Sequence, residues 1–241
     1  MSHKLCLITG GSRGLGAQLV EQYLADGWTV REFSRSGTSA AHIATDFSRR
    51  ESAIDTLDAE FRRQADQPWD EVVLILNAAQ IGPIGPLTSS QPRDWWQSID
   101  VNLTLNISAA GLFLQHFQSL SSRKSLVLMS SGAARSGMGG WGLYCLAKAG
   151  LERLGEAIAE EQQSQTHPIQ SLSISPGLID TDMQAEIRSA DAADFAEVEA
   201  FQQFKTSGQL VAPERVAQAV RQLIAGEFRS GEVKAVSEVL V

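Results

Sequence analysis

Apolar residues along the chain alternate between short unbroken runs and stretches with helical spacing. Lys4–Thr9 (KLCLIT) is a short apolar run ending in glycine, as expected of a buried parallel strand. From Leu15 the spacing becomes helical: Leu15, Leu19, Tyr23 and Leu24 share a face, and Gly27 stops the helix. Thr29–Ser34 (TVREFS) reads as a second strand, and residues 43–44 suffice only for a very short third one. Ala53, Ile54, Leu57 and Phe61 mark a helix with an acidic and basic outer face, and Glu71–Leu76 (EVVLIL) is the strongest central-strand signal. A long helix is predicted over residues 94–120, a strand at 125–129 (SLVLM), a helix at 142–161 and a strand at 169–174. Pro213–Ala225 is helical, with Val216, Val220, Leu223 and Ile224 on one face, and a last strand is expected at 233–236.

Strands alternating with helices over the whole length imply a single α/β domain over residues 1–241. The expected architecture is a Rossmann-type, doubly wound parallel sheet of about seven strands with helices on both faces. Residues 178–210 break the alternation. They are rich in Asp, Glu and Ala, with Phe195, Phe201 and Phe204 interspersed. A long insertion after a parallel strand predicts a lid over a site.

Composition narrows the chemistry. With 20 basic against 28 acidic residues, the formal charge of −8 repels phosphate backbones and anionic membranes, so nucleic acid is not an expected partner. No apolar run approaches the roughly 20 residues of a membrane span. Two cysteines far apart in sequence, Cys6 and Cys145, fit a reducing cytoplasm rather than a disulfide framework. The four histidines lack metal-ligand spacing, so no metal site is expected.

The turn after the first strand reads Thr9-Gly10-Gly11-Ser12-Arg13-Gly14-Leu15-Gly16 and opens a helix. Glycines there let the backbone approach a pyrophosphate, and the helix N-terminus offers free N–H groups and positive partial charge. An NAD site needs a carboxylate at the end of the second strand. This strand ends Phe33-Ser34-Arg35, and Glu32 should lie inside it. Ser34, Arg35 and Arg13 instead offer a hydroxyl and two cations for a ribose 2′-phosphate, which selects NADP(H).

Tyr144 and Lys148 stand four apart on a predicted helix, so the phenol and the ammonium point together, and the ammonium is expected to lower the phenol pKa. The spacing Gly10-x-x-x-Gly14-x-Gly16 with Tyr144-x-x-x-Lys148 resembles the short-chain dehydrogenase/reductase family over the whole chain. The resemblance implies that Ser131 orients the substrate and Asn102 holds a proton-relaying water. It also implies that Asp46-Phe47 meets the adenine, that Asn77, Ala78 and Ala79 line the cofactor, and that Pro176, Gly177, Ile179 and Thr181 bind the nicotinamide carboxamide. Asn77-Ala78-Ala79-Gln80 departs from the family's Asn-Asn-Ala-Gly, which puts the turn after Ala79 in question.

The family also implies a homodimer or homotetramer. Residues 140–145, 176–184, 204–211 and 228–231 resemble its sepiapterin reductase subgroup. That subgroup's pterin-anchoring Asp has no counterpart in Glu232-Val233-Lys234-Ala235-Val236. A relative of the subgroup reduces aromatic 1,2-diketones such as benzil, and Trp141, Met183 and the lid phenylalanines could form an apolar pocket for one. The expectation is therefore an NADPH-dependent reductase of a small-molecule ketone or 1,2-dicarbonyl. A pterin reductase is the alternative, and a non-catalytic NADPH sensor the second.

Overall fold

A computed structural model describes residues 3–240. Seven parallel strands form one sheet: β1 (Lys4–Thr9), β2 (Thr29–Ser34), β3 (His42–Ala44), β4 (Glu71–Leu76), β5 (Arg123–Met129), β6 (Gln170–Ser175) and β7 (Glu232–Ala235), in the spatial order β3-β2-β1-β4-β5-β6-β7. The direction of winding reverses between β1 and β4. A crevice opens there, outside the carboxyl ends of the strands.

Successive strand residues face opposite sides of the sheet, so each apolar run feeds two cores. Cys6, Ile8, Val73, Ile75 and Val127 pack beneath α1 (Gly14–Ala25) and α8 (Pro213–Ala225). Leu5, Leu7, Leu74, Leu126 and Leu128 pack beneath α2 (Arg50–Ala65), α4 (Leu105–Phe117) and α5 (Gly142–Gln162). On that second face Phe113 and Phe117 lie 4.9 Å apart, with Phe61 edge-on to both.

The helix expected over residues 94–120 is not uniform. It begins as α3 (Pro92–Ile99), widens into a π-helical turn at Asp100–Thr104, and resumes as α4. Asn106 Nδ2 donates to the Val101 and Asn102 carbonyls across this turn, a side-chain substitute for ladder bonds that a periodicity reading does not register. Inserted turns of this kind cluster at functional sites. The stretch between β6 and α8 carries two short helices, α6 (Asp182–Arg188) and α7 (Val198–Thr206). Its two ends are tied together: the Asp180 N–H donates to the Val211 carbonyl, and the Val211 N–H donates to the Leu178 carbonyl.

Candidate active site

The glycine turn is built around close backbone contacts. Gly10 has φ +72°, and a Cβ on it would lie 2.7 Å from the Ala78 Cα, so only glycine fits. Its N–H donates to the Phe33 carbonyl at 2.8 Å, and its carbonyl accepts from Asn77 Nδ2 at 2.8 Å. The buried Thr9 hydroxyl accepts from the Asn77 and Ala78 N–H groups at 3.0 and 3.1 Å. The ends of β1, β2 and β4 are thereby locked together beneath the turn. No side chain caps the N-terminus of α1, and its first turn carries no acid, which leaves a site suited to an anion.

A cleft of about 550 Å³ runs over this turn. It is lined by Gly10, Ser12, Arg13, Gly14, Leu15 and Gly16, by Ser34 and Arg35, by Asp46 and Phe47, and by Asn77, Ala78 and Ala79. Tyr144, Lys148, Pro176, Ile179, Thr181 and Met183 are also on its walls, whereas Asn102, Ser131 and Trp141 are not part of the lining. Gly177 does not line the cleft and shapes the turn between Pro176 and Leu178 with φ +74°. Ser34, on the cleft wall, has a buried Oγ with no hydrogen-bond partner among the described residues. Burial pushes the Asp46 carboxyl up, but hydrogen bonds from the Ser48 N–H and hydroxyl and the charges of Arg35 and Arg49 outweigh it and hold the group below its ordinary range. Arg13 meets Asp182 at 3.3 Å, and both side chains are exposed, so this pair adds little stability.

At the far end of the cleft, α5 presents Tyr144 and Lys148 one turn apart. Burial pushes the Tyr144 phenol up to about 12; the Ser131 hydroxyl beside it pulls the other way, and Cys145 adds to the rise. Burial pushes the Lys148 ammonium down to about 8. Its Nζ donates to the Met129 carbonyl at 2.6 Å and lies 5.6 Å from the centre of the Tyr144 ring. The expected lowering of the phenol pKa by Lys148 is therefore corrected: the ammonium is turned to the end of β5, and burial governs Tyr144. Ser131 sits after β5 with its Oγ accepting from the Ala133 N–H.

Asn102 lies in the π-helical turn and is wholly buried. Its Oδ1 accepts from the Gln80 N–H at 2.8 Å, and its Nδ2 donates to the Gln80 carbonyl at 2.9 Å. Nδ2 also donates to the Ser98 hydroxyl at 3.2 Å, so the amide ties α3 to both backbone groups of Gln80 and holds the turn after Ala79, where Gln80 lines the cleft. That clamp answers the question raised by Gln80. Among the described residues no non-glycine residue has positive φ, so Gln80 takes an ordinary backbone conformation.

Trp141, expected in the substrate pocket, is corrected as well. Its ring is stacked on Phe195 at 4.7 Å and 6°, next to Phe201, in a small apolar cluster behind Tyr144. Phe195 is fully buried there too. These aromatics form a core between the start of α5 and the insert, because their large apolar area is removed from water by stacking on one another. The sequence reading missed Gln80, Gln97, Ser130 and Asp180 on the cleft wall. It also missed the supporting Thr9 and Met129 carbonyl contacts. Thr9, immediately before the glycines, was the one visible signal among them.

Comparison with known proteins agrees with this geometry. A family model described as short chain dehydrogenase matches residues 4–192. The benzil reductase ((S)-benzoin forming) of Bacillus subtilis (strain 168) is 31% identical over 242 residues, covering 98% of this chain and 100% of that protein. The sepiapterin reductase of Meriones unguiculatus is 28% identical over 250 residues, covering 94% of each chain. The crystal structure of the KRED1-Pglu enzyme matches with a TM-score of 0.81 at 27% identity, covering 95% of this chain and 99% of that one.

Proposed function

The chain belongs to the short-chain dehydrogenase family, and from that premise we propose that it is an NADPH-dependent carbonyl reductase acting on a compact ketone or 1,2-dicarbonyl of the benzil type. One observation carries the reading: Tyr144 and Lys148 share a cleft with the glycine turn and Ser34-Arg35. The donor set fits the cofactor. An uncapped helix N-terminus suits a pyrophosphate, and the unpaired Ser34 hydroxyl with Arg35 suits a ribose 2′-phosphate. Gly10, Ser12, Gly14, Leu15 and Gly16 would hold the pyrophosphate end, Asp46 and Phe47 the adenine side, and Pro176, Ile179 and Thr181 the nicotinamide side, with Gly177 shaping the turn that carries them.

When bound, the nicotinamide supplies the hydride that turns the carbonyl into an alcohol. Negative charge develops on the substrate oxygen. Tyr144 donates its phenolic proton to that oxygen, and the Ser131 hydroxyl donates a hydrogen bond to it. Lys148, its Nζ 5.6 Å from the centre of the Tyr144 ring, would supply positive charge to this end of the cleft and would hydrogen-bond the nicotinamide ribose. Asn102 keeps Gln80 and the cleft wall in place. The insert over residues 178–210 serves as the lid, with Met183 against the substrate.

Likeness to the Bacillus subtilis benzil reductase supports the diketone, and likeness to sepiapterin reductase favours a pterin as the second reading. The segment Glu232-Val233-Lys234-Ala235-Val236 holds no Asp to anchor a pterin, and the one carboxylate in it, Glu232, accepts from the Arg229 N–H through Oε2. A pterin edge without its buried partner loses about 1–3 kcal/mol. The test is NADPH oxidation with a panel of diketones and sepiapterin. A compact 1,2-diketone is expected to exceed sepiapterin by about tenfold or more in kcat/KM; a ratio favouring sepiapterin reverses the ranking.

A further inference from the structure

Glu32 and His42 stand opposite each other in the β2–β3 ladder. Glu32 is 1% exposed, and a carboxylate so deep in the protein requires partners. It has two. Its Oε1 accepts from the Gly11 N–H at 2.9 Å, and its Oε2 meets His42 Nδ1 at 2.7 Å. On the far side of the ring, His42 Nε2 accepts from the Gly37 N–H at 3.3 Å.

Gly11–Glu32–His42–Gly37 is thus a continuous bridge between two turns. One is the glycine turn; the other follows β2, whose last residue, Ser34, lines the cleft together with Arg35 and Ser36 of the turn. Both turns lie directly on the bridge. A Cβ on Gly11 would sit 2.3 Å from Glu32 Cγ, and one on Gly37 would sit 2.4 Å from His42 Nδ1. Neither turn has room for a side chain where it meets the pair. The unpaired Ser34 Oγ lies at the end of β2, where the second of these turns begins.

We propose that Glu32 and His42 are positioning residues that hold the two phosphate-facing turns in a single arrangement, and so set the affinity for a dinucleotide phosphorylated on its adenosine ribose. This rests on the NADPH reading of the cleft. Preorganised contacts bind more tightly because less freedom is lost on binding. The bridge also occupies both oxygens of the acid in β2, so Glu32 is withheld from the free ribose hydroxyls that an NAD site would satisfy.

The test compares wild type, His42→Ala, His42→Gln and Gly37→Ala by calorimetric titration with two probes, adenosine 2′,5′-bisphosphate and adenosine 5′-monophosphate. NADPH KM and kcat are measured alongside. His42→Ala is expected to weaken the bisphosphate about tenfold while changing the monophosphate by less than about threefold and leaving kcat within about twofold. His42→Gln, whose amide can donate to Glu32 and accept from Gly37, is expected to restore most of the loss. Gly37→Ala keeps both side chains of the pair but presses its Cβ against His42 Nδ1 and Glu32 Oε2, and it is expected to reproduce the selective loss, which also covers the case of a His42→Ala chain that does not fold. Equal losses for both probes, no loss at all, or a His42→Gln variant no better than His42→Ala overturns the proposal. A wild type that does not prefer the bisphosphate removes the NADPH reading itself, and the bridge's role with it.

Discussion

Two ionisable side chains on one face of α5 are shifted by the same cause in opposite directions. Burial disfavours the charged form of each, so the Tyr144 phenol rises to about 12 and the Lys148 ammonium falls to about 8. For a reductase the first shift is useful, because the phenol keeps its proton throughout the neutral range and is ready to donate it. The second places a charge change inside the working range. Below about pH 8 Lys148 is charged and supports proton delivery; above it the charge is lost. The expected kcat/KM for the carbonyl is therefore level near neutrality and falls up to about tenfold per unit well above pH 8. A profile still level one to two units higher would take Lys148 out of the mechanism. Tyr144→Phe keeps the ring against Trp141 and removes the proton. Turnover is expected to drop about 10²-fold or more with NADPH binding, read by titration, largely retained. Near-native turnover in that variant would exclude Tyr144 as the acid.

Each element ends where its residues are needed. β2 delivers Ser34 and Arg35 to the cleft, while its interior acid, Glu32, is held beneath by Gly11 and His42. On the proposed reading the turn after β2 decides cofactor choice. A charge-assisted hydrogen bond to a 2′-phosphate contributes on the order of 1.5–3 kcal/mol. Preference for NADPH over NADH is accordingly expected at about tenfold or more in kcat/KM, and Arg35→Asp is expected to shrink or invert it through the cofactor KM. Equal use of both cofactors by the wild type would mean that Arg35 does not reach the phosphate. The wide turn at Asp100–Thr104 works in the same local way, aiming the Asn102 amide at both backbone groups of Gln80. A regular helix would rotate that side chain away, since each inserted residue changes the phase of everything after it.

In the molecule as a whole, parallel winding brings the carboxyl ends of β1, β2, β4, β5 and β6 to one edge, so residues from Gly10 to Met183 line a single cleft. A ligand spanning that edge contacts both halves of the sheet and stabilises the fold by linkage. At a concentration about 100 times its Kd, NADPH is expected to add roughly 2.7 kcal/mol, which raises Tm by about 5–10 °C for a chain of this length. NADH at the same concentration is expected to give a smaller rise. Identical shifts, or none, would show that the phosphate-facing residues make no energetic contact with the cofactor.

Local pattern determined much of this protein. Short apolar runs and helical spacing carried the seven strands, most plainly β1, β4 and β5, whose central residues are buried on both faces. The chemistry of the cleft was legible for a similar reason: a tight phosphate-facing turn needs glycines, and a tyrosine and lysine that must point together need helical spacing. What depends on long-range contact was not legible. Trp141 and Phe195 are 54 positions apart in the chain, and only packing decides that they stack on each other rather than face the cleft. Nothing near Lys148 in sequence announces that the Met129 carbonyl will take its ammonium. Glu32 looks like any strand residue until the glycine turn and β3 close over it. Burial and partnership are properties of the assembled sheet, so they set which way each ionisable group is shifted and which residues reach the cleft, and the tertiary structure alone decides both.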